Sequence, residues 1–219
     1  MGIEDEKRTA ADAAAEQVVD GMMVGLGTGT TAAYVVPALA RRQLKVRCVA
    51  TSTATAEAAR LAGLDIVSSF RDIDRLDIAI DGADQVAPTG WLVKGGGAAH
   101  TREKVVASAA ERFVVIVSAN KLVERLGPPV PLELLEFGLD ATLRLIGQLG
   151  PVRRRDVARS PDGGVIADFL GAVDDPGLLA AQLDAVAGVV AHGLFPPSLV
   201  SDVIVGRAGH AEHMEFGSG

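Results

Sequence analysis

The chain has 219 residues, 48% of them apolar, and a formal net charge of −7. That length admits one large domain, or a domain with a smaller companion, and the acidity excludes a general electrostatic attraction for nucleic acid. Its one cysteine, Cys48, excludes an intramolecular disulfide and fits a reducing compartment. The N-terminus lacks a basic-then-apolar signal pattern, and no apolar run reaches membrane-spanning length, so a cytoplasmic protein without membrane partners is expected.

Residues 4–20 read as an alanine-rich helix closed by Gly21. A short apolar strand over 22–26 runs into the glycine-threonine turn Gly27-Thr28-Gly29-Thr30-Thr31. A helix over 30–42 follows, with Pro37 as a kink or irregularity. Strands are expected at 45–50, 65–67 and 76–80, with a helix at 53–62 between the first two. The last of these strands opens into Asp81-Gly82-Ala83-Asp84. Beyond the run Lys94-Gly95-Gly96-Gly97, helical character covers 101–112 and a buried-looking strand covers 113–117.

The texture changes at Gly127-Pro128-Pro129-Val130-Pro131, a domain junction by composition. Strands near 132–136, 152–157, 165–169 and 189–195, with helices at 138–149 and 176–187, give the order β-α-β-β-α-β. The run 203–205 returns to the first domain, and the tail from Gly206 is expected to be mobile. Arg153-Arg154-Arg155 is read as a solvated face. The expected fold is α/β. A Rossmann-like, mostly parallel sheet domain (1–127 plus about 200–219) carries a smaller α+β, split βαβ, ferredoxin-like domain (128–199).

Three loops carry chemistry. The turn at 27–31 aims backbone N–H groups and a helix N-terminus at one spot, which suits phosphate. The dinucleotide fingerprint is not completed, because Thr51-Ser52 stand where an acid belongs. Nicotinamide cofactors are therefore not expected. Asp81 and Asp84 end a strand, where ligands bind in open α/β sheets. They can bind a metal, hold sugar hydroxyls or move protons, and metal is the weakest reading because no histidine or third acid lies nearby. Three consecutive glycines carry a large ordering cost, which favours close approach to a ligand over a linker. With Lys94 before them and Glu103 after, the inventory matches proton transfer next to a carbonyl: a carboxylate moves the proton while a cation and hydrogen-bond donors hold the enediolate oxygen.

These residues resemble ribose-5-phosphate isomerase A. The resemblance rests on residues 25–32, on Asp81-Gly82-Ala83-Asp84, and on Lys94-Gly95-Gly96-Gly97-Ala98-Ala99 with Thr101-Arg102-Glu103-Lys104, and it runs from about Glu4 to about Val205. It implies interconversion of D-ribose 5-phosphate and D-ribulose 5-phosphate through an enediolate, without cofactor or metal, in the pentose phosphate pathway. Glu103 is implied as the base and Asp81 as the group that opens the ring or handles hydroxyl protons. Asp84 and Lys94 are implied to hold substrate oxygens and the enediolate charge. Thr28, Gly29, Thr30 and Thr31 are implied to cradle the phosphate, with Lys121 and Lys7 neutralising it. Gly82, Ala83, Gly95, Gly96 and Gly97 complete the substrate loops. A homodimer or homotetramer is implied as the assembly.

Four positions depart from the family pattern: His100 for leucine, Gln85 for glutamate, and Ser118 and Asn120 in Ser118-Ala119-Asn120 for Asp-x-Ser. His100 is expected to replace leucine without joining the chemistry, and Gln85 to remove a charge beside Asp84. Two other readings fit less well. A non-catalytic sugar-phosphate-binding protein does not require Glu103, and a sensor in a transcription regulator needs a helix-turn-helix for which no room is expected before the first helix. A CoA-transferase-like enzyme does not require the phosphate loop and paired aspartates.

Overall fold

The computed structural model describes residues 2–67, 70–71 and 73–215. Helix α1 spans Ile3–Glu16, and strand β1 spans Met23–Leu26. A 3-10 turn at Ala32–Tyr34 leads into α2, Val35–Arg42. Pro37 lies in the first turn of α2, where an N–H has no intrahelical acceptor to lose, so the helix tolerates it. Strand β2 is Arg47–Ala50 and α3 is Thr53–Leu61, whose N-cap Ser52 accepts from Thr55 N at 3.1 Å. Then come β3 (Asp65–Ile66), β4 (Leu76–Gly82), β5 (Gln85–Val86) and β6 (Leu92–Val93). Helix α4, His100–Ser108, precedes β7, Ala110–Ser118. The remaining elements are β8 (Val130–Leu134), α5 (Leu139–Ile146), β9 (Val152–Arg154), β10 (Val165–Phe169), α6 (Pro176–Asp184), β11 (Val189–His192), β12 (Leu194–Phe195), β13 (Asp202–Arg207) and β14 (His210–Glu215). Among the described residues no helix is long and apolar enough to cross a membrane.

The chain forms two compact units, one of residues 1–83, 102–121 and 198–219, the other of 84–101 and 122–197. The first is built on a seven-stranded sheet in the order β14-β13-β7-β4-β1-β2-β3. Every pairing is parallel except β13 with β14. The carboxyl ends of six strands therefore share one edge, the edge where α/β sheets bind ligands. Val24, Leu26, Ile78, Ile80, Val114, Ile116 and Ile204 fill the core with Ala10, Ala11, Ala14 and Ala15 of α1. The small alanine face lets α1 approach closely. At Gly206 of β13 an added Cβ would stand 1.8 Å from the carbonyl oxygen of Glu6, so only glycine fits there.

The second unit contains a four-stranded antiparallel sheet in the order β11-β8-β10-β9, with α5 and α6 as its crossovers. This is the split βαβ arrangement expected from the element order. Its core gathers Val130, Leu132, Leu134, Phe169, Leu183 and Leu194. A second sheet of three short strands, β12-β6-β5, belongs to the same unit.

Several expectations need correction. The first helix ends at Glu16 rather than at residue 20. The helix expected over 101–112 stops at Ser108, because residues from Ala110 pair with β4 (Leu76 with Ala110, Ile78 with Arg112). The strand expected over 189–195 is two strands in two sheets, broken at Gly193. The tail from Gly206 is no mobile segment up to Glu215: it completes β13 and turns back as β14. Residues 84–101 and 122–127 cluster with the smaller unit, not with the larger one, since β5 and β6 pair with β12.

Candidate active site

In the larger unit the site begins where β1 ends. Gly27 N–H donates to the Ile80 carbonyl at 2.9 Å, which brings the turn beside the end of β4. The Asp81 carboxylate lies across that turn. Its Oδ1 accepts from Thr28 N at 3.1 Å and from Gly82 N at 2.7 Å, and the residue is buried. A Cβ on Gly27 would fall 1.9 Å from the same Oδ1, so this glycine makes room for the carboxylate. Gly29 adopts φ +128, a region that L side chains rarely enter. The Thr28 hydroxyl shares hydrogen bonds with Thr51 Oγ1 at 2.7 Å and Thr55 Oγ1 at 3.3 Å, and Thr55 donates to the Gly27 carbonyl at 3.1 Å. Thr30 and Gly29 are exposed while Thr31 is buried.

Glu103 lies in the first turn of α4 and is 3% exposed. One turn further on, Val106 packs over Gly25 of β1, where a Cβ would meet its Cγ1 at 2.6 Å. Residues three apart share a helix face, so Glu103 lies on the face of α4 turned to β1. Lys121 ends the 3-10 turn Ala119–Lys121 beyond β7. That turn is tied down by Glu6 of α1, whose Oε2 accepts from Ala119 N at 3.0 Å, and by Ser118 Oγ, which bonds Asn120 Oδ1 at 2.6 Å. Lys7 is nearly buried and pairs with Glu4 at 2.7 Å, and Tyr34 donates to the same carboxylate at 2.6 Å. Hydrogen bonds from Lys7 and then Tyr34 hold the Glu4 carboxyl below its usual range, and the bond to Glu4 raises the Tyr34 hydroxyl.

In the smaller unit Asp84 Oδ2 accepts from Gly96 N at 2.8 Å. Lys94 is 2% exposed, donates its backbone N–H to the Gly193 carbonyl at 2.8 Å, and holds its ammonium 5.5 Å from the Phe195 ring centroid. Gly95 has φ +107, and Ala98 has φ 59, a costly region for a residue with a side chain. His100 is fully buried against the glycine run, for a Cβ on Gly95 would meet its Nδ1 at 2.7 Å. The start of α4 is fixed by Thr101, which donates to the buried Glu133 carboxylate of β8, as does Ser160.

Gln85, the other departure within the loops, pairs its amide with one backbone residue: Nε2 donates to the Gly127 carbonyl at 2.9 Å and Oε1 accepts Gly127 N at 2.8 Å. The arginine run is only partly the solvated face expected. Arg153 and Arg154 are exposed, but Arg155 turns in to Asp168 and donates to the carbonyls of Gly95 and Gly96 at 3.3 and 3.2 Å. Sequence reasoning missed Arg155, Asp168 and Glu133, which have no motif. The only signal of Glu133 and Asp168 is a charged residue inside an otherwise apolar strand, Val130–Leu134 and Val165–Phe169, and Arg155 is hidden in a run of three arginines. Among the described residues no three His, Cys, Asp or Glu side chains gather as a metal site.

Residues 47–210 match the family model described as ribose 5-phosphate isomerase A (phosphoriboisomerase A). A ribose-5-phosphate isomerase A of Caulobacter vibrioides is 46% identical over 219 residues, covering 94% of this chain and 96% of the relative. The crystal structure of ribose 5 phosphate isomerase A from Neisseria gonorrhoeae superposes with a TM-score of 0.94 at 31% identity, covering 99% of each chain. A D-ribose-5-phosphate isomerase solved in complex with phospho-erythronic acid superposes with a TM-score of 0.91 at 32% identity, over 98% of this chain and all of the other.

Proposed function

The chain belongs to the ribose 5-phosphate isomerase A family, and from that premise we propose that it interconverts D-ribose 5-phosphate and D-ribulose 5-phosphate through an enediolate. The observation that carries this reading is Glu103, a carboxylate buried in the first turn of α4 on the face turned to β1. Its carboxylate takes the proton from C2 of the open-chain aldose, leaving the electron pair to form the enediolate with the C1 carbonyl. The same proton returns to C1, while the C2 hydroxyl proton passes to O1, so C2 becomes the ketose carbonyl and the C1 oxygen becomes a hydroxyl. Burial keeps bulk water from exchanging with the carried proton.

Asp81 handles the ring-opening or hydroxyl protons. Asp84 and Lys94 hold the substrate oxygens, the ammonium opposing the charge that develops in the transition state. Thr28, Gly29, Thr30 and Thr31 offer N–H and hydroxyl donors to the phosphate, with Lys121 and Lys7 supplying positive charge. That a solved relative was captured with phospho-erythronic acid supports phosphate recognition on this fold. The same reading takes the protein as cytoplasmic, and it takes the assembly as a homodimer or homotetramer, a state that light scattering on the purified chain tests.

The deciding experiment is a coupled assay with ribose 5-phosphate on the wild type and Glu103→Gln. The carboxamide keeps the shape but accepts no proton, so turnover falls on the order of a hundredfold or more, while ribose 5-phosphate still raises the melting temperature. Near-normal turnover in the variant sinks the mechanism.

A further inference from the structure

The Gly95–Gly96 peptide is gripped at both ends. Its carbonyl oxygen accepts from Arg155 Nη1 at 3.3 Å, and its N–H donates to Asp84 Oδ2 at 2.8 Å. The next carbonyl, of Gly96, accepts from the same Nη1 at 3.2 Å. Asp168 of β10 holds the other side of the guanidinium, with Nε 3.1 Å from Oδ2 and Nη2 bonded to Oδ1. The ion pair is shielded, its two side chains being 18% and 9% exposed. We propose that Arg155, braced by Asp168, is a positioning residue of the isomerase reaction that sets the Gly95–Gly97 backbone and, through the Gly95–Gly96 peptide, the Asp84 carboxylate.

Three consecutive glycines leave this backbone the freedom to adopt many conformations, and the guanidinium selects one. Because a trans peptide is planar, fixing an oxygen fixes the N–H on its opposite side. Holding the Gly95 oxygen aims Gly96 N–H at Asp84, and holding the Gly96 oxygen turns Gly97 N–H to the face away from Arg155. Arginine suits the task and lysine does not: one rigid fork reaches two carbonyls and a carboxylate at once, whereas an ammonium is a point charge. A carboxylate displaced by about 1 Å costs on the order of a hundredfold in rate.

The inference rests on the proposed isomerase activity, and the test separates the two. Wild type, Arg155→Met and Arg155→Lys are compared for melting temperature, for kcat and KM with ribose 5-phosphate, and for hydrogen exchange of the Gly96 and Gly97 amides by NMR with 15N-glycine. The methionine variant should lose about tenfold to a hundredfold in kcat per folded molecule, with KM changed less, and exchange faster at both amides. The lysine variant should keep the pair with Asp168 and the fold, yet recover little of kcat. Unchanged kcat and amide exchange in Arg155→Met overturn the proposal, as does wild-type kcat in Arg155→Lys. If the methionine variant does not fold, the lysine variant decides alone. If the wild type does not isomerise ribose 5-phosphate, the functional reading fails. The positioning role is then judged on amide exchange, and equal exchange in both proteins refutes it.

Discussion

Replacing Gly27 by alanine puts a methyl group where the Asp81 carboxylate lies. The added Cβ would stand 1.9 Å from Oδ1, 2.0 Å from Cγ and 2.4 Å from Cβ of Asp81. An ordinary contact needs more than about 3 Å, so the carboxylate must retreat by more than about 1 Å or the turn must lift. Either movement breaks the bonds from Thr28 N and Gly82 N, at 3.1 and 2.7 Å. Hydrogen bonds to a charged group are worth about 1.5–3 kcal/mol each. With partial relaxation the net loss is about 2–4 kcal/mol, which lowers the melting temperature by roughly 5–15 °C in a chain of this size. A catalytic group misplaced by about 1 Å forfeits on the order of a hundredfold in kcat/KM. Differential scanning fluorimetry and the coupled ribose 5-phosphate assay read the two effects. Gly21→Ala is the control: Gly21 has φ +87 with open space around it, so that variant suffers backbone strain alone, away from Asp81. It should lose about 1 kcal/mol of stability and keep its activity. Gly27→Ala with wild-type kcat/KM would refute the assignment of Gly27 as the space for a working carboxylate.

Lys121→Ala should raise KM with little change in kcat, because a cation on the phosphate strengthens binding equally in ground and transition states; a fall in kcat alone would move Lys121 into the chemistry. Gln85→Glu should destabilise the protein by about 1–2 kcal/mol, since the lost amide donor leaves carboxylate oxygen facing the Gly127 carbonyl. An unchanged denaturation midpoint would contradict this. Burial, and next the negative charge of Asp65, push the Cys48 thiol up to about 12. The folded value lies above the unfolded one, so the stabilisation is complete below about pH 8.5 and disappears as pH rises toward the folded value. Wild type should therefore lose more stability than Cys48→Ala across that alkaline range. Native Cys48 should also resist iodoacetamide at about pH 8 until the chain unfolds. Parallel stability losses in the two proteins would show that Cys48 does not contribute.

How much of this was legible in the sequence depended on whether the governing contacts were local. The parallel sheet was readable because β1, β2, β4 and β7 are apolar runs bounded by loops, and the split βαβ unit because its elements alternate regularly. The strands Gln85–Val86, Leu92–Val93 and Leu194–Phe195 were not, since two residues carry no period. Their break is set by a distant backbone: a Cβ on Gly193 would lie 2.2 Å from the Lys94 carbonyl oxygen, so the chain changes sheets there on glycine. In β14, His210–Glu215, pairing with β13 decided the structure of a stretch whose composition suggested a loose tail.

The site divides along the same line. Gly27, Asp81, Lys94 and Glu103 could be singled out because strand ends and glycine runs announce them within a few residues. Arg155 could not. Its meaning comes from Asp168, thirteen positions away, and from carbonyls of Gly95 and Gly96 about sixty positions back. By charge pattern alone it was one of three surface arginines. Burial changes its physics: with a side chain 18% exposed, the cost of desolvating the guanidinium must be met by partners with fixed geometry. Asp168 and the two glycine carbonyls are those partners. A half-buried cation that orders a glycine run converts a loop with large conformational freedom into a rigid element before substrate arrives. The glycines can then supply close approach, and the organisation of the loop comes from Asp168 of β10 and from Arg155, the residue after β9.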